Sequence, residues 1–447
     1  MKRHWRILPL LFVAISCGGG RDAAIFGFLP ENSAEANKAA FQQCLDEGGR
    51  IIVSRPGMYR ICGPLLVKAN TKLSFSKGVI ISRESPAEGT DALPLLMNRG
   101  ARDGSIDENI SISGLLLQCN GKGGEADDSL YVGMRGELAF LGVKKLTIKN
   151  SQVLGYPDSN FGIQVCDFEN ILLENLHIEG IHDAIHLGAG RDFIIRNSLF
   201  RSDNDAVALN GLDFPNNSPR IGWIENGLID NCVDLPDPDA AVIGYFARMT
   251  AGSFKEWEEG MSIQHQGDAV LHNGRVYRTT GLRAHGEMPS TVPPTHPSGT
   301  RKLADGHVWT MLQDKDISKT AGVRNILFKN IHLQRPRHLA FNLHFDHSDW
   351  NRSFYPGAEN VTQSNITLEK IYIETNLPLL LQARTPVDHI RVRNSDIGRS
   401  LIRLNILGYP GLEYENTVIG FHNVNAEDIQ KTVMAWFRPY EVIYNDK

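Results

Sequence analysis

Two short stretches of this 447-residue chain place an acid directly before a run of apolar residues. They read Asp183-Ala-Ile-His-Leu and Asp205-Ala-Val-Ala-Leu, and 22 residues separate the two acids. A third stretch, Asp239-Ala-Ala-Val-Ile, has a related pattern after a longer interval. Because side chains alternate along a strand, equal spacing on stacked strands places equivalent residues above one another. The pattern therefore predicts a column of carboxyl groups.

Carboxyl groups in a column repel each other unless they share protons, bind a cation or flank a substrate. Cleavage of a glycosidic bond needs two such groups, because one must donate a proton while the other stays ionised to activate water. Stacked or diagonal strands place the pair about 5–10 Å apart. Asp183 and Asp205 are thus candidate catalytic residues, with Asp203 and Asp239 as further candidates. The alternative, that each aspartate only caps a turn, stays open.

The elements that would position these acids recur along the chain. Short apolar strands end in a charged or polar residue followed by asparagine, with first intervals of 25, 22 and 34 residues. Such a period indicates a solenoid, and asparagine tolerates the left-handed conformation that a bend needs. We therefore expect an all-β parallel β-helix whose coils bend at Asn150, Asn175, Asn197, Asn231, Asn330 and Asn394, with Lys370 at an equivalent place.

Strand parity predicts which side chains lie beside the acids. Ile163, Ile185 and Val207 are expected to point into the core. The alternate positions, Gln164 and His186, are expected to face outward, where they are candidates for substrate binding.

Composition excludes some functions and supports the fold. The formal net charge is −5 with 22% charged residues, so no broad basic surface indicates nucleic-acid binding. The 42 glycines suit many tight turns. One amphipathic helix is predicted at 34–47, and an open solenoid end needs a cap to cover its apolar strands. The helix is therefore expected to cap the N-terminal end.

The N-terminus has the pattern of an export signal. Three basic residues precede the apolar run Ile7–Ile15, which is too short for a permanent membrane span. The run ends in Ala14-Ile-Ser-Cys17, which resembles a bacterial lipoprotein cleavage site with Cys17 as the lipid-carrying residue. An ordinary secretory signal is the alternative. Both predict an exported protein, periplasmic or anchored to the outer membrane by lipid alone.

The five remaining cysteines are scattered and odd in number, without CxxC spacing. This argues against a zinc site and a disulfide framework, although Cys44 and Cys62 could pair. Buried thiols are the other interpretation. No metal or other cofactor is predicted.

The predicted helix, the turn Pro56-Gly-Met-Tyr59 and the coils together resemble pectin-active right-handed parallel β-helix proteins. The likeness is greatest to the polygalacturonase family of glycoside hydrolases, and it covers roughly 27–244 and 323–447. The resemblance implies a right-handed β-helix and a polysaccharide or oligosaccharide substrate.

The family's four motifs, Asn-Thr-Asp, Asp-Asp, Gly-His-Gly and Arg-x-Lys, are only partly retained. Ile181-His-Asp183 and Asn204-Asp205 each keep one acid. Pro238-Asp-Ala240 stands where Gly-His-Gly is expected. Asn342-Leu-His344 replaces the basic pair that the family uses to hold a substrate carboxylate. A neutral or differently charged glycan is thus as compatible with the sequence as galacturonate.

The coil pattern is interrupted between two parts of the chain. The interruption contains a hairpin signal at Asn273-Gly274 and resembles small β modules that bind chitin and related glycans. Trp257, Tyr277 and Trp309 would then be sugar platforms; alternatively they form the core of the module. The predicted organisation is a signal peptide (1–17), a first β-helix part (18–247), an inserted module (248–319) and a second β-helix part (320–447).

Polar residues also collect in a late coil. Asn342 and His344 are expected on the same surface as His186, and Arg352 follows in the next loop. His182, directly before Asp183, joins them as a candidate substrate contact. No compact ligand motif supports a metal site there.

Three functions fit these observations. The leading hypothesis is a glycoside hydrolase that cleaves a plant or algal polysaccharide, with Asp183 and Asp205 as the acid–base pair. The second is a polysaccharide lyase acting on a uronate, with His186, His344 and Arg352 as candidate base and cation. The third is a non-catalytic glycan-binding lipoprotein.

Overall fold

The chain is built almost entirely from short strands. The computed structural model describes residues 19–84, 94–122, 133–213, 218–237, 243–263, 267–279, 288–345, 352–405, 412, 416–435 and 440–444. The helices are η1 (Ala23–Phe26), α1 (Ala34–Glu47), α2 (Gly100–Asp103) and η2 (Ile429–Lys431). The strands are β1 (Arg21–Asp22), β2 (Arg50–Val53), β3 (Gly57–Ile61), β4 (Leu65–Val67), β5 (Lys72–Phe75), β6 (Val79–Arg83), β7 (Leu96–Asn98), β8 (Asp107–Glu108), β9 (Ser111–Ser113), β10 (Leu116–Gln118), β11 (Gly136–Lys144), β12 (Thr147–Tyr156), β13 (Phe161–Gly180), β14 (Ile185–Leu187), β15 (Gly190–Ser202), β16 (Val207–Asn210), β17 (Trp223–Asp234), β18 (Ala247–Ser253), β19 (Lys255–Glu256), β20 (Met261–Ile263), β21 (Ala269–His272), β22 (Arg275–Thr279), β23 (Met288–Ser290), β24 (Thr300–Lys302), β25 (Val308–Gln313), β26 (Thr320–Leu333), β27 (Leu339–Phe345), β28 (Ser364–Ile373), β29 (Leu379–Ala383), β30 (His389–Arg393), β31 (Asp396–Gly398), β32 (Leu401–Leu404), β33 (Thr417–His422), β34 (Asn425–Ala426), β35 (Val433–Ala435) and β36 (Tyr440–Tyr444).

Successive coils stack by parallel pairing. Of the described strands, 29 form one hydrogen-bonded sheet that winds from β1 to β36. One stack runs β13, β15, β17, β26 and β28, and another runs β13, β14, β16, β18, β27 and β29. Every pairing in these two stacks is parallel. The predicted parallel β-helix is confirmed.

The bends between strands lie where the asparagine spacing predicts them. All seven predicted bend positions have positive φ, including Lys370 at 54°. Asn175 donates to Asn150 Oδ1 at 2.8 Å, and Asn231 donates to Asn197 Oδ1 at the same distance. A side-chain ladder therefore joins the bends from coil to coil and fixes the stacking register.

The core fills the interior of the coils. Ile163, Ile185 and Val207 are fully buried, as strand parity predicts. Ile195 and Phe193 on β15 are buried as well, and a Cβ at Gly227 on the next coil would lie 2.1 Å from the Phe193 ring. Glycine is needed at that position because the aromatic ring occupies the space.

The helix α1 lies against the first coils. Ser33 caps its first turn by accepting from the Ala36 amide, and Gly48 ends it with a φ of 65°. Phe41, on its buried face, stacks on Phe28 at 4.4 Å. Packing against η1, β3 and β4 covers the apolar side of this amphipathic helix.

A second body of strands interrupts the coils. The strands β19, β21, β22, β24 and β25 form a separate five-stranded sheet, and β20 pairs with β23. Residues 248–253, assigned to the module from the sequence, instead belong to β18, which pairs with β16 and β27. The coil thus continues to Ser253, and the separate sheet begins at Lys255.

The described cysteines and helices bear on two further expectations. Cys44, Cys62, Cys119, Cys166 and Cys232 are all buried free thiols, so the optional Cys44–Cys62 pair is not formed. Within the described ranges, no helix is long and apolar enough to cross a membrane.

Replacing Ile195 by alanine should lower the free energy of unfolding by about 2–5 kcal/mol, because it leaves a cavity in a fully buried layer. Denaturant titration followed by tryptophan fluorescence measures the change. Leu199→Ala is the control on the same strand, since that side chain is 38% exposed. Equal losses in the two variants would contradict the assignment of the core face.

Candidate functional site

Asp183 and Asp205 occupy equivalent positions on neighbouring coils. The amide of Gly162 donates to the Asp183 carbonyl, and the amide of Ala184 donates to the Asp205 carbonyl. The next position in this column is Tyr245, whose carbonyl accepts from Ala206. The expectation that Asp239 supplies the third acid is therefore wrong in register; Asp239 itself lies outside the described residues.

A second column lies three residues further along the same strands. It contains, in order, Gln164, His186, Ala208, Arg248, Asn342 and Gln382. The sequence predicted that His186 and its neighbours face an open surface, but the His186 and Ala208 side chains are fully buried. Asp183 and Asp205 are fully buried too. The outward face of these strands is covered by further protein.

Gln164 binds part of the protein that covers this face. Its Nε2 donates to the Gly133 carbonyl at 2.6 Å, and its Oε1 accepts from the Arg135 and Gly136 amides at 2.6 and 3.0 Å. The amide thus holds the segment that enters β11. Its predicted role as a substrate contact is wrong, because backbone groups already use both ends of the amide.

Arg248 brings the acids into one ionic cluster. Its Nε lies 2.9 Å from Asp205 Oδ2, and its Nη2 lies 3.8 Å from Asp183 Oδ2 and 3.8 Å from Asp213 Oδ2. The arginine side chain keeps 12% of its surface exposed, whereas the three carboxyls have none. One guanidinium therefore partly neutralises three buried acids.

His186 lies between two of these acids. Its Nδ1 is 2.9 Å from Asp183 Oδ2, and its Nε2 is 3.4 Å from Asp213 Oδ2. The imidazole stacks on Phe161 with ring centroids 4.2 Å apart. His182 Nδ1 lies 3.3 Å from Asp183 Oδ1, and its side chain is 16% exposed. Both predicted histidines are thus brought to Asp183.

The pKa values of the two stacked acids move in opposite directions. Burial raises the pKa of Asp205 to about 6, Arg248 opposes this rise, and the charge of Asp183 adds to it. Burial would also raise the pKa of Asp183, but His182, His186 and Arg248 outweigh burial and hold that pKa well below its usual value. Near pH 5 the pair therefore consists of one protonated acid and one carboxylate.

Polar side chains from later coils extend the cluster. Arg248 pairs in register with Asn342, and Thr250 pairs with His344. Among the described residues, Asn342 Oδ1 and His344 Nδ1 have no hydrogen-bond partner. Burial, followed by Arg248 and Arg384, lowers the pKa of His344 to about 3, so this imidazole is neutral. The structure thus brings both predicted residues to the acid cluster.

The second body of strands supports the segment that carries Asp213. Arg278 on β22 is fully buried; its Nη2 donates to the Asp213 carbonyl and its Nε to the Gly267 carbonyl at 3.1 Å. Asn210 Nδ2 donates to Asp213 Oδ2 at 2.7 Å. Thr250 donates to the Leu212 carbonyl at 2.9 Å. Asp213 is therefore held from the strand face on one side and from the module on the other.

Asp203 is not part of the acid cluster. Its Oδ1 accepts from Arg335 at 2.6 Å, and its carboxyl is 26% exposed. Arg337 binds Asp234 through two hydrogen bonds of 2.7 and 3.0 Å and donates to the Asn204 carbonyl at 2.8 Å. These arginines fix the turn before Asp205, which gives Asp203 a structural role.

The other predicted contacts lie in the module or near it. Tyr277 and Trp309 are fully buried, so their predicted role as sugar platforms is wrong and the alternative, a module core, is right. Trp257 is half-buried and donates to Ser290 at 2.9 Å. Arg352, expected beside His344, instead pairs with Asp268 at 3.1 Å. Cys17 lies outside the described residues.

Sequence reasoning missed two members of the cluster. Arg248 stands in Phe246-Ala-Arg-Met249, which repeats the apolar alternation of 206–209, but the predicted domain boundary fell at that residue. Asp213 follows β16 in a loop without a motif, and no sequence signal marks it.

Comparisons with known proteins concern the fold. No family model matches the chain, and no match was found among curated proteins. The Yersinia enterocolitica Family 28 exopolygalacturonase is similar in structure, with a TM-score of 0.51 at 12% identity over 96% of this chain and 78% of that chain. A Thermotoga maritima exopolygalacturonase gives 0.45 at 12% identity, over 96% and 92%. The Streptococcus pneumoniae surface adhesin PfbA gives 0.44 at 12%, over 96% and 98%.

The chain has the β-helix fold of an exopolygalacturonase. The likeness to the Yersinia enzyme extends over nearly all of this chain, and it confirms the fold resemblance expected from the coils.

The raised pKa of Asp205 predicts a pH dependence of stability. The folded protein keeps this proton up to about pH 6, whereas an ordinary aspartate releases it near 3.8, so the contribution of Asp205 to the free energy of unfolding falls as pH rises between these values. Asp205→Asn should remove about 3 kcal/mol of that fall. Denaturant titrations at pH 4 and pH 7 measure it. Asp192→Asn, at an exposed bend, is the control; an unchanged pH dependence in Asp205→Asn would refute the shift.

Arg278→Met should lower the free energy of unfolding by about 1.5–3 kcal/mol, because it removes charged hydrogen bonds to two buried carbonyls. It should also accelerate hydrogen exchange of the amides in 210–213, which mass spectrometry detects. Arg275→Met, on the same strand without such bonds to that loop, should leave the exchange unchanged. Identical exchange in both variants would show that the module does not hold Asp213.

Proposed function

We propose that the protein is a glycoside hydrolase that cleaves a polysaccharide, with Asp205 as general acid and Asp183 as general base. The observation that carries the proposal is the stacking of two buried acids on adjacent coils, with Arg248 2.9 Å from Asp205 and His186 2.9 Å from Asp183. These surroundings displace the two pKa values in opposite directions. Such a pair supplies the protonated and the ionised carboxyl that glycosidic cleavage requires. The β-helix fold shared with a Family 28 exopolygalacturonase is consistent with this activity.

The two acids and the side chains beside them have separate roles in this mechanism. Asp205 donates its proton to the leaving glycosidic oxygen, and Arg248, 2.9 Å away, stabilises the carboxylate that results. Asp183 accepts a proton from the attacking water, and His186 orients its carboxylate at 2.9 Å. The polar atoms of Asn342 and His344 without protein partners suit hydroxyl groups of a bound sugar.

Burial restricts how a substrate reaches these groups. The acids have no exposed surface, while His182 and Arg248 remain 16% and 12% exposed. A sugar ring must therefore approach past these two side chains and displace part of the local cover. The same burial favours one other candidate, a non-catalytic glycan-binding protein in which the cluster only stabilises the coils.

Organisation and location are part of the proposal. We propose that α1 closes the N-terminal end of the β-helix and that 255–313 is an inserted module. We also propose that the chain is exported and anchored through a lipid on Cys17. We also propose that the β-helix is right-handed, as the family resemblance implies.

A digestion screen tests the activity. Neutral and acidic plant and algal polysaccharides are incubated with the protein, and new reducing ends and ultraviolet-absorbing unsaturated products are measured. Hydrolysis predicts reducing ends without unsaturation. Asp205→Asn and Asp183→Asn should each lower kcat by about 10²–10⁴-fold with an intact fold. Asp203→Asn is the matched control, expected to stay near the wild-type rate.

The outcomes separate the alternatives. Unsaturated products would assign a lyase. Saturable binding without turnover on every polysaccharide would assign the non-catalytic function. A loss in Asp203→Asn as large as that in Asp205→Asn would move the acid to Asp203.

A further inference from the structure

A cavity lies on the last coils, away from the acid cluster. Its volume is about 590 Å³, within the range of small-molecule sites. It is lined by residues of β28, β31, β33, β34 and β36 and by η2, none of which contributes to the acid cluster. Its lining combines two tyrosines with several asparagines.

The two tyrosine rings are exposed and held in place. Tyr372 is 39% exposed and stacks on His332 with centroids 4.7 Å apart. Tyr444 is 43% exposed and stacks on Phe421 at 6.0 Å and 14°. Stacking on the protein fixes each ring before any ligand arrives, which reduces the entropy lost on binding. Exposed aromatic rings with a polar edge suit the apolar face of a sugar ring.

The polar groups beside these rings are oriented as well. Asn423 donates to Asn394 Oδ1 at 2.9 Å, and Asn425 donates to Asp396 Oδ2 at 3.2 Å. Amides fixed in this way can exchange hydrogen bonds with hydroxyl groups. Asp396 is the only charged side chain among the described residues that line the cavity. A carboxylate and no basic lining residue disfavour a uronate or a sulfated sugar.

We propose that this cavity is a binding site for an uncharged oligosaccharide, separate from the reaction centre. Tyr372 and Tyr444 act as stacking platforms, and the amides of Asn423 and Asn425 bind hydroxyl groups. The site holds a neutral stretch of a glycan while another part of the same glycan reaches Asp183 and Asp205. The proposal itself does not require that the acids cleave the glycan.

Calorimetric titration of the full chain with neutral linear hexasaccharides of glucose, galactose and xylose tests the site. Asp205→Asn serves as the background, so that hydrolysis does not alter the ligand. Tyr444→Ala and Tyr372→Ala should each weaken binding about tenfold or more. Tyr444→Phe, which keeps the ring, should retain affinity. Tyr440→Ala is the matched control, because that tyrosine is 36% exposed on the same strand and does not line the cavity.

Three results would overturn the proposal: no saturable binding of any neutral hexasaccharide, equal affinity in Tyr444→Ala and Tyr440→Ala, or stronger binding of a protonated glucosamine hexamer than of its neutral counterparts. Failure of the proposed hydrolysis is distinguishable, since it would abolish new reducing ends while the tyrosine-dependent binding remained.

Discussion

Parallel hydrogen bonding between coils determines which side chains meet in this protein. The pairing of β13, β14, β16 and β18 places Asp205 one strand above Asp183, although 22 residues separate them along the chain. Strands in a sheet lie about 4.8 Å apart, so two like charges become close neighbours inside the protein. Ionisation of both acids is therefore unfavourable unless a cation lies nearby. The next strand, β18, supplies that cation as Arg248, 2.9 Å from Asp205.

Neighbouring groups stabilise the charged forms of the two acids unequally, and this gives the acids different pKa values. Asp183 has four cationic or hydrogen-bonding neighbours in His182, His186, Arg248 and the Asp205 amide, whereas Asp205 has Arg248 and the Tyr245 amide. The less compensated group has the higher pKa and keeps its proton longer. Their difference in role thus comes mainly from two histidines on the coil of Asp183 itself, since Ala208 stands beside Asp205 where His186 stands beside Asp183.

Local and periodic features could be predicted from the sequence, and long-range features could not. The bend asparagines and the stacking of the two acids follow from a regular interval. The prediction that Asp239 is the third acid of the column was wrong, because the longer loop before β18 places Tyr245 at that position. Segments outside these strands cover their outward face. Strand parity predicts only which way a side chain points, so it cannot predict that the outward side chains are buried. Trp309 is buried because a small module needs its large aromatics for a core.

The cover over the strand face has two opposing effects on the proposed chemistry. Burial is the largest cause of the raised pKa of Asp205, so an open face would leave both acids ionised near pH 5. The same burial limits the access of a substrate. A bound glycan resolves this conflict if it replaces the displaced cover and keeps water away from the carboxyls. The Arg278 contact to the Asp213 carbonyl holds one of the segments beside the acids, so it supports the packing of this coil.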